Sequence, residues 1–153
     1  MPIVTIETLL PAPLERCFDA SRDLDLHVTS MKETAEKAVA GRTSGLIELG
    51  EQVTWEARHF GVWQRFTSKI TAFDRPAYFQ DSMVKGAFHS FVHDHYFEPV
   101  DEGTKMTDVL TFASPLGFIG AIVDRLILAA YLRRMLIVRN EVLKAAVSQD
   151  ATG

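Results

Sequence analysis

The sequence predicts an α+β fold in which a curved antiparallel sheet wraps around one long C-terminal helix. Three observations lead there: β-branched alternation opens the chain from Ile3 to Leu10, strand-like segments joined by short turns fill 46–113, and helical spacing follows through Val147. Strands joined this tightly pair antiparallel, because a parallel crossover needs about a dozen residues or more. A sheet followed by one apolar helix buries both by gripping the helix.

Pro11 and Pro13 end the first strand, and Pro13 suits the first turn of a helix that places Leu14, Cys17, Phe18 and Ala20 on one side. Ser21 to Met31 reads as a further helical turn, so short helices separate the first two strands. Lys32 to Gly45 is charged and glycine-bounded, a loop with a weak strand near Lys37 to Ala40. The predicted strands are then Leu46 to His59, Trp63 to Phe73, Ala77 to Val84, Phe88 to Glu98 and Thr104 to Ala113. Phe60-Gly61, Asp74-Arg75-Pro76, Lys85-Gly86 and Asp101-Glu102-Gly103 supply the turns. Pro115 closes this section, and Leu116 to Val147 forms a helix with Ile119, Val123, Leu126, Ala130 and Ile137 on one face. The expected organisation is a single domain, 1–148, with a frayed tail at 149–153.

Composition narrows the function classes. The chain has 153 residues, 47% hydrophobic, enough for one domain with a sizeable core. Sixteen basic against 20 acidic residues give a net charge of -4, and the longest basic run is Arg133-Arg134, so no nucleic-acid footprint is visible. The opening MPIVTIETLL lacks the basic start and continuous apolar run of a signal peptide. With Cys17 alone, and expected as a small core residue, a cytoplasmic, reducing location fits best. Asp124 and Arg125 interrupt the apolar stretch 116–132, which argues against a transmembrane segment. Gly117 and Gly120 follow Pro115 as packing residues; the strand–glycine loop–helix order of a nucleotide site is missing.

If Lys85-Gly86 is a two-residue hairpin turn, Tyr78 faces His93, Gln80 faces Phe91 and Ser82 faces His89. A two-residue turn at Asp101-Glu102 sets Phe97 opposite Met106, His95 opposite Asp108, His93 opposite Leu110 and Phe91 opposite Phe112. One sheet face then combines apolar groups with a polar spine of Gln80, His93, His95 and Asp108, which must find hydrogen-bond partners or border a cavity. Asp81 and Asp94 fall on the other face, although a one-residue slip at the first turn brings Asp81 into the cavity.

Several strings resemble the START-like or SRPBCC superfamily, the helix-grip ligand-binding proteins that include Bet v 1-like allergens and polyketide cyclase/dehydrase-like proteins. They are 45–55 (GLIELGEQVTW), His59-Phe60-Gly61, 81–88 (DSMVKGAF), His93-Asp94-His95, Pro115-Leu116-Gly117 and Arg139-Asn140. This combination is similar to a bacterial SRPBCC subgroup. The resemblance implies a cavity between sheet and C-terminal helix that accepts a lipid, polyketide or aromatic guest, and it carries over no catalytic residue and no cofactor.

The leading expectation is therefore a carrier or sensor of a small hydrophobic molecule, its site drawn from Trp55, Tyr78, Gln80, Phe91, His93, His95, Phe97, Met106, Asp108, Leu110, Phe112 and Tyr131. The alternative is a cyclase, dehydratase or hydrolase that uses His95 and Asp108 as an acid/base pair, since a carboxylate orients an imidazole and raises its basicity. His93, His95 and Asp108 also have spacing that permits a metal site, without matching an established zinc pattern. Trp63 reads as core or cavity wall, and Arg134 and Arg139 as a solvated or salt-bridged helix face, with contact to an anionic ligand end as the alternative. Leu132, Met135, Leu136 and Leu143 form either core or the surface of a homodimer.

Overall fold

The computed structural model describes residues 2–114 and 117–152. Pro115 and Leu116 lie outside the described residues, as do the side chains of Gly117, Gly120 and the 149–153 tail, so the roles expected of them fall outside too. Strand β1 (Ile3–Leu10) leads into α1 (Leu14–Ser21), α2 (Leu24–Ser30), a 3-10 turn (Lys32–Thr34) and β2 (Lys37–Gly41). Strands β3 (Gln52–His59), β4 (Val62–Asp74), β5 (Tyr78–Lys85), β6 (Ser90–Val100) and β7 (Gly103–Ala113) form the meander. Helix α3 (Gly117–Val123), a π-helical turn (Asp124–Leu128) and α4 (Ala129–Thr152) complete the chain.

All pairings in the seven-stranded sheet are antiparallel, in the order β1-β7-β6-β5-β4-β3-β2. The first two strands thus occupy opposite edges, and α1 and α2 cross between them. Register shifts at Ala38/Ala40, Thr67/Ser68 and Ile70/Ala72 bend the β2–β5 half of the sheet, as bulges do. The meander and the C-terminal helix agree with the sequence reading, and the fold is helix-grip.

Four local expectations differ. Leu46 to Glu51 is not strand: Gly50 takes φ 84, the chain turns, and Ile47 packs beside α1 through Ile47 N–H donating to the Arg22 carbonyl. Lys85-Gly86 is not a two-residue turn either. The connection runs from Gly86 to His89 because Phe88 dips inward, its ring 5.1 Å from Phe91 and 6.0 Å from Phe112.

On the C-terminal helix, Ile119, Leu126, Ala130 and Ile137 are exposed, while Leu132, Leu136, Leu143 and Val147 face the core. Beyond the π-helical turn its extra residue displaces the regular spacing, which puts Ala130 and Ile137 outside; Ile119 and Leu126 precede or lie within that turn and are exposed independently of it. Leu132, Met135, Leu136 and Leu143 are core or cavity residues, the first of the two alternatives the sequence left open for them. Trp63 is exposed on β4, pointing away from the cavity its predicted wall position required. Among the described residues no helix is long and apolar enough to cross a membrane.

The core sits on the concave face of the sheet. Phe18 of α1 is fully buried with its ring edge-on to Phe73, Phe79 and Phe97, each 5.3 Å away between centroids. Three such contacts pin α1 across β4, β5 and β6. Cys17, the predicted small core residue, is buried beside it. Phe18→Ala is expected to destabilise the protein by about 3–5 kcal/mol in urea unfolding, through lost burial and the cavity left behind; a change below about 1 kcal/mol would show that the cluster is not a keystone.

Candidate functional site

Between the concave face and α2 and α4 lies a cavity of about 470 Å³. Leu132, Met135 and Leu136 of α4 face Val53, Phe66 and Ile70 of the sheet across it, so most of its wall is apolar. Its polar end is built from four elements. Asp81 on β5 is the direct partner of His93 on β6, and His95 on β6 is the direct partner of Asp108 on β7. Alternation along β6 keeps both histidines on the concave face.

Asp108 is fully buried, and each of its oxygens is taken. Oδ1 accepts from His93 Nε2 at 2.8 Å and from Arg139 Nη1 at 3.1 Å, while Oδ2 accepts from Asn140 Nδ2 at 2.8 Å. Arg139 Nη2 also donates to Ser21 Oγ at 2.9 Å, and Asn140 Nδ2 reaches Thr8 Oγ1 at 3.1 Å. His95 donates through Nε2 to Asp81 Oδ2 at 2.7 Å, and Ser68 donates to Asp81 Oδ1 at 3.2 Å. The rings form a pile: Phe79 lies 4.0 Å from His95, which lies 3.7 Å from His93. His95 Nδ1 is 3.4 Å from Asp108 Oδ1, ion-pair distance without hydrogen-bond geometry.

Electrostatics follow this wiring. Burial pushes the Asp108 carboxyl up, but the Arg139 charge and the imidazole donors outweigh it and hold it well below the usual carboxylate range. Asp81 is likewise held low against burial, by the His95 hydrogen bond and charge. Burial, reinforced by the His95 charge, lowers His93 despite Asp108. Burial lowers His95 as well, yet the two carboxylates Asp108 and Asp81 outweigh it and leave its pKa raised. The two shifts run in opposite directions, so of the stacked pair His95 takes a proton in preference to His93. With Nε2–H committed to Asp108, neutral His93 carries an unprotonated Nδ1, an acceptor beside the cavity it lines.

A second polar station lies along the same cavity. His59 Nδ1 is 2.7 Å from the Tyr131 hydroxyl, and the Tyr131 ring packs against Phe60 at 4.5 Å with the planes tilted by 38°. Phe60 and Gly61 form the β3–β4 turn with φ 52 and 78, the mirror-type hairpin geometry that aims Phe60 at the helix. His27 lies 4.4 Å from Trp55 and binds Glu36 Oε1 at 3.0 Å. Burial lowers His59 more than Glu36 raises it, and burial raises Tyr131. Both shifts favour neutral partners, with the hydroxyl donating to Nδ1.

Of the predicted site residues, Trp55, Phe91, His93, His95, Leu110 and Tyr131 line the cavity. Phe97, Met106 and Phe112 are core residues rather than cavity wall, and Asp108 stands behind the histidines. Tyr78 and Gln80 are on the opposite face: Tyr78 pairs with Tyr96 along the strands, the Tyr78 hydroxyl and the Gln80 amide both donate to Asp94 Oδ1, and neither residue reaches the cavity. The three-residue displacement from the predicted Tyr78–His93 pairing is odd, so it exchanges the faces of β5. Asp81 therefore replaces Gln80 at the polar end. The predicted His95–Asp108 pair is re-partnered as His95 with Asp81 and His93 with Asp108. Asp81, not Asp108, joins His93 and His95 in the cluster with metal-ligand character. His89 is exposed ahead of β6, and Arg134 is exposed on α4, whereas Arg139 is buried and paired.

An apolar cavity capped by a buried ionic cluster, enclosed by a helix-grip fold, defines the architectural class of this protein. Comparison with solved structures agrees. TTHA0849 from Thermus thermophilus superposes with a TM-score of 0.73 at 23% identity, covering 95% of this chain and 99% of that one. Ginseng major latex-like protein 151 from Panax ginseng gives 0.69 at 15% identity, covering 95% and 97%. Ara h 8.0201 gives 0.63 at 16%, covering 93% and 97%. The last two are Bet v 1-like, and at these identities the likeness establishes the fold. No protein-family profile matches the chain, and no curated protein matches it by sequence.

Replacing Arg139 by Met removes the buried counter-charge of Asp108 and is expected to cost about 3–5 kcal/mol in urea unfolding; a near-neutral result would mean that Asp108 is neutral in the folded state. His59, whose ordinary pKa is 6.5, is expected to titrate below that value in NMR of its ring. Its folded pKa lies below the unfolded one, so the contribution to stability is complete above 6.5 and is lost as pH falls through the folded value. A ring midpoint at or above 6.5 would show that the His59 ring is not held buried in its neutral form.

Proposed function

We propose that 1–148 acts as one ligand-binding domain that holds a small hydrophobic molecule of lipid, polyketide or aromatic type, as carrier or sensor. The observation that carries this reading is the cavity of about 470 Å³ itself, within the range that accommodates small-molecule ligands. Apolar walls supply affinity through burial, and a few fixed polar groups at each station orient the guest. His93 Nδ1 at the deep end and the His59–Tyr131 pair at the other are suited to hydroxyl or carbonyl groups on an otherwise apolar frame.

The His93–Asp108 pair favours a second reading, an enzyme of cyclase, dehydratase or hydrolase type. A buried carboxylate holds one imidazole nitrogen and leaves the other turned to the cavity, the arrangement of an oriented base. It replaces the His95–Asp108 pairing expected from sequence. In the carrier reading a guest binds and leaves unchanged; in the enzymatic one it is recovered as a different compound, changed in mass by dehydration or hydrolysis and in retention time by a cyclisation that conserves mass.

The test is native mass spectrometry of the purified protein, followed by competition against an environment-sensitive fluorescent fatty probe. A stoichiometric guest, or saturable probe binding in the micromolar range or tighter, is expected. Ala57→Phe, which fills part of the wall, should weaken the probe at least about 10-fold with the melting temperature retained, roughly the effect of losing one well-packed group. No guest, no probe binding and no effect of the filled wall would sink the proposal.

A further inference from the structure

We propose that Asp81, His93 and His95 form a binding site for a divalent first-row transition ion such as zinc, iron(II) or cobalt(II). This is independent of which apolar guest the cavity takes. One ring nitrogen from each histidine and one Asp81 carboxylate oxygen lie within 4.8 Å of one another. A tetrahedral ion with bonds of about 2.1 Å wants its donors about 3.4 Å apart. To converge on one ion, the His93 and His95 rings, stacked at 3.7 Å, turn about their side-chain bonds so that their in-plane lone pairs meet.

The backing of the site carries the argument further than the spacing. Metal-binding imidazoles are held by a carboxylate or carbonyl on the nitrogen facing away from the ion. Here a single carboxylate stands behind both rings: Asp108 Oδ1 lies 2.8 Å from His93 Nε2 and 3.4 Å from His95 Nδ1. That leaves His93 Nδ1 and His95 Nε2 as the ligating atoms. His95 Nδ1 is buried without a hydrogen-bond partner among the described residues, and drawing His95 Nε2 onto an ion while Nδ1–H turns to Asp108 would satisfy it. Asp108 is itself excluded as a ligand, because Arg139, Asn140 and His93 occupy its oxygens.

Charge and donor type select the ion. Two carboxylates, Asp81 and Asp108, flank His95 and make this a setting that favours positive charge, and a divalent ion on His95 Nε2 would take the place of a proton there. Two nitrogens and one oxygen without a thiolate suit zinc, iron(II) or cobalt(II) better than copper(I), calcium or magnesium. Three protein donors leave a coordination position open, and the side chains of Asp81, His93 and His95 all line the apolar cavity. The ion would therefore be in reach of whatever the cavity holds, as in sites of catalytic rather than structural type.

The experiment uses untagged, chelator-stripped protein titrated with cobalt(II) and with zinc(II), read by calorimetry, elemental analysis and, for cobalt, the visible spectrum. One equivalent bound with micromolar or tighter Kd is expected. Asp81→Asn and His93→Gln should each weaken it at least about 10-fold, and Asp108→Asn should weaken it about 10–100-fold without changing the stoichiometry. Cobalt should shift or broaden the His93 and His95 ring resonances of the wild-type protein, a readout that requires no variant to fold. Absence of stoichiometric binding, binding unchanged in both Asp81→Asn and His93→Gln, or effects confined to the exposed His89 overturns the proposal. Apolar-probe binding in the same preparation separates this outcome from the fate of the carrier reading.

Discussion

The ionised carboxylate of Asp108, sealed under the concave face, is the group on which the arrangement of the site depends. An isolated charge there would be prohibitively costly, so its neighbours are constrained. Arg139 and Asn140 bring α4 down onto β7, His93 is turned to offer one nitrogen, and Thr8 on β1 joins through Asn140. A single buried charge thus ties both the sheet edge and the gripped helix to the polar end of the cavity. Hydrophobic packing alone would tolerate small slides of α4 along the sheet; bonds to a fixed carboxylate do not.

Much of the fold was legible because it rests on periodicity. Alternation from Thr104 to Ala113 is so regular that every second residue is buried, and the β6–β7 register followed from it, placing His93, His95, Leu110 and Asp108 correctly. The β5–β6 register was not legible, for a physical reason. Tyr78 and Phe79 are both aromatic, Gln80 and Asp81 both polar, so the pattern on β5 does not distinguish its faces, and Lys85-Gly86 mimics a tight turn. What decides it is Phe88 filling a space beside Phe91 and Phe112, a tertiary event. The sequence signal able to find Asp81 was Phe79, whose burial against Phe18 commits the odd-numbered positions of β5 to the inside.

The cavity departs from a featureless apolar pocket in having two unlike ends. One is ionic and held by strands and helix together, with rings stacked and donors matched to carboxylates. The other, His59 with Tyr131, is built from groups whose shifts keep them neutral. An apolar guest with one polar substituent would read these ends differently, so the cavity is oriented as well as sized. His59 and Tyr131 escaped the spacing argument as a pair because they are far apart in sequence and meet only through the turn at Phe60-Gly61.

The π-helical turn at Asp124–Leu128 carries a further consequence. Regular α-helical winding of the same residues, at about 100° each, would turn everything downstream away from its present setting, because a π-helical turn advances by less per residue. Leu132 and Leu136 would swing off the cavity wall, and Arg139 would leave Asp108 with its charge uncompensated. The wide turn therefore works as a phase adjuster between two stretches of helix. Its extra residue sets the azimuth at which the gripped helix presents its cation, and closing the turn to α-helical winding with one residue fewer would keep that azimuth.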